Sequence, residues 1–81
     1  MSEALKIEGK IGELKRTLKG LELKFQGLKL SMRDLLDVTE RDPACIKTEI
    51  IAEQALDLDK ARGEIVDLRT EISELKRILG R

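Results

Sequence analysis

From Ala4 onward the apolar residues recur with a strict three-four spacing: Ala4, Ile7, Ile11, Leu14, Leu18, Leu21, Phe25, Leu28, Met32 and Leu35. Such a rhythm sets all of them on one stripe of an α-helix, and kept up over four heptads it predicts a coiled coil. Ala4, Ile11, Leu18, Phe25 and Met32 are the a positions, and Ile7, Leu14, Leu21, Leu28 and Leu35 the d positions. The rhythm fails at "DVTERDPAC", where Asp42 suits a helix cap and Pro43 a first helical position that needs no N–H. A second set of heptads follows, with Ile51, Leu58, Ile65, Ile72 and Leu79 in one row and Gln54, Ala61, Leu68 and Leu75 in the other. The pattern predicts helix one over 3–38, a turn over 39–42 and helix two over 43–79. Ser2 is the expected cap of the first helix, and Gly80 the left-handed stop of the second.

So short a connection makes the helices antiparallel neighbours. In an antiparallel pair a faces d, so facing residue numbers share a constant sum. A sum of 86 folds the chain at Pro43 and gives layers such as Ile11–Leu75, Leu14–Ile72, Leu18–Leu68, Phe25–Ala61 and Met32–Gln54. The largest core residue then meets one of the smallest. Shifting by a heptad sets Phe25 against Gln54 and leaves Leu79 without a partner. Flanking charges agree, with Glu22 opposite Arg62, Lys24 opposite Glu64 and Glu8 opposite Lys76, while Lys15 repels Arg69. Each such pair is worth about 0.2–1 kcal/mol, against about 1.5–3 for a buried Leu or Ile, so the core decides. The expected fold is all-α: an antiparallel two-helix coiled-coil hairpin that self-associates into a four-helix bundle. A domain-swapped form would keep the same layers.

Composition narrows the function. The chain has 81 residues, one aromatic, no histidine and 40% charged side chains, which suits long helices and not a large globular core. Without histidine the commonest general base and metal ligand is missing, and "GKIGELK" lacks the spacing of a phosphate loop. Asp57 and Asp59 belong on a solvated helix face. No catalytic residue, cofactor or metal is expected. Cys45 is the single cysteine, which excludes an internal disulfide and fits a reducing compartment. No apolar run is long enough to cross a membrane and the N-terminus lacks the marks of a signal peptide, so the expected location is cytoplasmic. Asp42, Pro43 and Ala44 at the turn of a short hairpin resemble type III secretion needle subunits. The resemblance stops at that triplet, capping alone explains it, and the strict heptads differ from those subunits.

Two features remain. Net charge is zero, yet residues 1–33 carry eight basic and four acidic side chains, whereas residues 34–59 carry two basic and eight acidic. The hairpin is thus a rod with basic arms and an acidic tip. A nucleic-acid reading would use those arms, but no aromatic stacks on bases and acids interleave with the lysines. The second feature is a Gly–Leu face. Gly20, Leu23, Gly27 and Leu30 repeat with three-four spacing opposite the a/d stripe, and Leu56 lies level with Leu30 on helix two. Each interior glycine costs a helix about 1 kcal/mol relative to alanine, whereas glycine at a contact lets another helix come close. These five residues form the expected partner interface. The function that follows is a non-enzymatic protein–protein interaction module (a scaffold, adaptor or assembly subunit). Its expected partner is a second copy, with a dimer favoured, or another helical protein. The alternatives are a nucleic-acid-associated protein and a small chaperone-like clamp.

Overall fold

In the computed structural model, which describes residues 2–80, two helices account for almost all of the chain. α1 spans Glu3–Leu36 and α2 spans Thr48–Ile78. They pack along their length as an antiparallel hairpin measuring 63 × 17 × 14 Å. Ser2 caps α1 as its residue type predicts, its hydroxyl oxygen accepting the Leu5 N–H at 3.2 Å. Gly80 stands at φ 78°, its N–H donating to the Arg77 carbonyl at 2.9 Å, so the left-handed stop is also where the sequence places it.

The seam follows the 86 register. Ile11, Leu14 and Ile72 form a buried cluster, and Ile7, Leu18, Leu68, Leu75 and Leu79 pack against it. Leu79 has its partner, and Ala61, the small residue assigned to face Phe25, is buried. Only Ile11, Leu14, Ala61, Ile65 and Ile72 are buried among the described hydrophobic residues, all on the a/d rows. The tip half of the seam, from Leu28 to Leu35 and from Ile51 to Leu58, is half-buried at its a and d positions.

The flanking charges differ from expectation: among the described residues no ion pair joins Lys24 to Glu64, and Glu22 takes another partner. Arg69 Nη2 donates to Glu22 Oε2 at 2.8 Å, so Glu22 pairs one heptad beyond Arg62. A flanking position of an antiparallel pair has two neighbours one heptad apart on the partner helix, and Lys15 repels Arg69 from the other side. The Arg69 side chain is mostly exposed and that of Glu22 nearly half exposed, so the pair adds at most about 1 kcal/mol to a fold set by the seam.

The connection is longer than predicted, 37–47 instead of 39–42. α1 ends at Leu36 because Asp37 takes φ 24° and turns its carboxylate back on the chain. Its Oδ1 accepts the Thr39 hydroxyl at 2.6 Å and the Thr39 N–H at 3.1 Å. These bonds hold the Asp37 carboxyl below its ordinary pKa of 3.8, the hydroxyl contributing most. Asp42 does cap Pro43, accepting the Ala44 N–H at 3.0 Å, but only one 3-10 turn follows, over Pro43–Cys45. Ile46 is then extended, and α2 begins at Thr48 rather than at Pro43. Heptad phase supplies the reason. Running α2 back to Pro43 would set Lys47 on a core row and point Ile46 outward. Breaking the helix instead leaves Ile46 half-buried, beside Leu35 at the tip, and Lys47 in solvent.

The register is testable by crosslinking. In a Cys45→Ser background, Leu14→Cys with Ile72→Cys should form an intramolecular disulfide readily on oxidation. Leu14→Cys with Leu58→Cys should not, and a link in the second pair alone would overturn the 86 register.

Candidate partner interface

With a and d turned to the partner helix, position f points directly away from it, and c lies beside f. Leu23 and Leu30 are at f and Gly20 and Gly27 at c, so α1 carries the four along its back. Leu23 is 66% and Leu30 52% exposed, and both glycines are exposed. A Cβ built at Gly20 or Gly27 would meet nothing within 4 Å. Nothing inside the hairpin therefore requires glycine at either site. Gly9, Gly12 and Gly63 are equally open. What sets Gly20 and Gly27 apart is the leucine three residues after each.

Leu56, 73% exposed, is level with Leu30 but belongs to the back of α2. The width of the hairpin separates it from Leu23 and Leu30, so one neighbouring helix cannot touch both sides. The structure thus brings four of the five candidate residues onto one face and sets the fifth on the opposite one.

Gln54 is the polar residue on the core rows, and its Oε1 is buried with no hydrogen-bond partner. The sequence flags the site, since a glutamine interrupts an apolar row, but not that its oxygen is orphaned. Cys45 is exposed at the tip, its thiol 3.7 Å from Asp42 Oδ2. The hollows on the surface are grooves. One of about 490 Å³ is lined by Arg69, Thr70, Ser73, Glu74 and Arg77, all from α2, so no second element closes it. Another lies on the seam between Glu22, Phe25, Gln26, Arg62, Ile65, Val66 and Arg69. Among the described residues the acids of the tip do not gather into a group that could hold a metal ion, and no helix is long and apolar enough to cross a membrane.

Comparison with protein-family models, with curated proteins and with solved structures finds no match.

The orphaned oxygen gives a direct test. Replacing Gln54 by leucine should stabilise the hairpin by about 1–2 kcal/mol, because a buried acceptor without a donor costs about that much. Urea unfolding measures it. A lower midpoint for Gln54→Leu would mean that the oxygen is satisfied when the protein is assembled.

Proposed function

We propose that the chain is a non-enzymatic interaction module that associates with a copy of itself through the back of α1, giving a four-helix assembly in a cytoplasmic setting. The observation that carries this reading is the pairing of exposed leucines with glycines that have no work to do inside the hairpin. Surface area supports it. The chain exposes 6403 Å², against about 4,900 Å² for a compact monomer of this mass. A rod has area to spare, and a standard interface needs only about 800 Å² per partner. The thin seam supports it too, since no side chain is fully enclosed among the described residues.

Sedimentation equilibrium tests the proposal. The wild-type chain should approach twice its monomer mass at tens of micromolar, and a monomer there would remove it. Leu23→Glu with Leu30→Glu should raise the dissociation constant at least tenfold, because charge enters an apolar contact, whereas Leu56→Glu should leave it unchanged. Gly20→Ala with Gly27→Ala would stabilise a lone hairpin by about 1 kcal/mol per site. In the assembly the same change should instead weaken association.

The basic arms favour a second reading, binding to nucleic acid. Fluorescence anisotropy with labelled duplex DNA and single-stranded RNA should show binding only at low salt, lost near physiological ionic strength. Binding that persists there would promote this reading above the first.

A further inference from the structure

Resting on the self-association reading, we propose that the second copy docks antiparallel, with the acidic tip of each hairpin lying along the basic arm of the other. The occupant of the α1 back is thus another copy of this chain in one orientation. The argument begins with shape. On the back of α1 the c and f positions act as the contact rows, and in an antiparallel pair c of one helix faces f of the other. Facing residue numbers then sum to 50. Leu23 of each copy sits over Gly27 of its partner and Leu30 over Gly20, a large side chain over an open site in both cases. A parallel pair would put Gly20 on Gly20 and Leu23 on Leu23, leaving gaps beside bulges.

Charge selects the same orientation. In the parallel pair Arg16, Glu13 and Asp34 on the contact rows would each face their own copy. In the antiparallel pair Arg16 of one chain faces Asp34 of the other, twice by symmetry. Asp34 has Arg33 of its own helix at 3.8 Å, with both side chains about three-quarters exposed, so it is free to turn. Three arrangements oppose the antiparallel pair: Lys24 meets its own copy near the two-fold axis, Lys19 faces Arg33, and Glu13 comes level with Asp37, which has left the helix at φ 24° with its carboxylate turned to Thr39. The cations flank the contact rows and reach solvent, and Asp37 lies beyond the end of α1, while the Arg16–Asp34 pairs sit on the rows within the helix. At the tip, Asp34 and Glu40 come level with Arg16 and Lys10 of the other copy, while the acids of α2 stay on the far side of the hairpin.

The native cysteine reports the orientation, because Cys45 is exposed at the tip. The axis crosses α1 near residue 25, and Leu36 lies about 16 Å beyond it at 1.5 Å per residue. Spin labels on Cys45 of the full chain should therefore be about 30 Å or more apart in the antiparallel dimer. Double electron–electron resonance measures the distance on samples that sedimentation shows to be dimeric. A dimer with labels within about 20 Å, two helix diameters, would overturn the antiparallel docking and leave self-association standing. A domain-swapped dimer would also bring the two Cys45 labels together. A monomer in sedimentation would overturn both. Charge reversal gives a second readout. Arg16→Asp and Asp34→Arg should each weaken the dimer about tenfold, and the two combined in one chain should restore it to within about threefold. Losses that simply add would overturn the Arg16–Asp34 contact and with it the register.

Discussion

Everything in this hairpin depends on one apolar seam. The a and d side chains of α1 and α2 are the only large surfaces that the helices cover in each other, and charges beside the seam follow its register rather than set it. Arg69 illustrates the hierarchy. The seam places it between Lys15 and Glu22, and it swings to the acid at 2.8 Å without disturbing any layer. The two partners flank the seam and keep contact with water, so losing the pair would leave the seam in place.

Much of this was legible in advance because a heptad repeat is a statement about three dimensions. Once two such repeats are joined by a short link, constant-sum pairing leaves few registers, and Phe25 against Ala61 chooses among them. The tip was less legible. Asp42 and Pro43 are genuine start signals, and the chain obeys them for one turn. They are local, however, and the demand from Ile46 and Lys47 is tertiary: the apolar one must turn in and the cation must stay out. Reading the heptad phase backward from Ile51 would have exposed the conflict, since it sets Lys47 on a core row. The early end of α1 has a similar origin in the side chain of Asp37, whose bonds to Thr39 compete with another helical turn.

The partner face was legible as residues but not as a single surface. Spacing alone groups Gly20, Leu23, Gly27, Leu30 and Leu56 as outward-facing. Spacing along one helix does not say that, across a shared seam, outward means opposite directions on the two helices. What remains on α1 combines shape and charge on one strip, and that combination makes orientation a question with a physical answer.

Burial along the seam is graded, and the grading bears on how the chain folds. The buried side chains, Ile11, Leu14, Ala61, Ile65 and Ile72, lie between the middle of the hairpin and its open end, away from the turn. A hairpin that zipped from its turn would first cross the half-buried layers near Leu35 and Ile51, gaining little at each step. Bringing Leu14 to Ile72 directly closes a much longer loop, yet the extra entropy cost is only about 1 kcal/mol because it grows as the logarithm of loop length. The best-buried contacts are therefore within reach of an early nucleus that does not start at the turn. The tip would condense afterwards, and it is the first segment to open when the rod breathes.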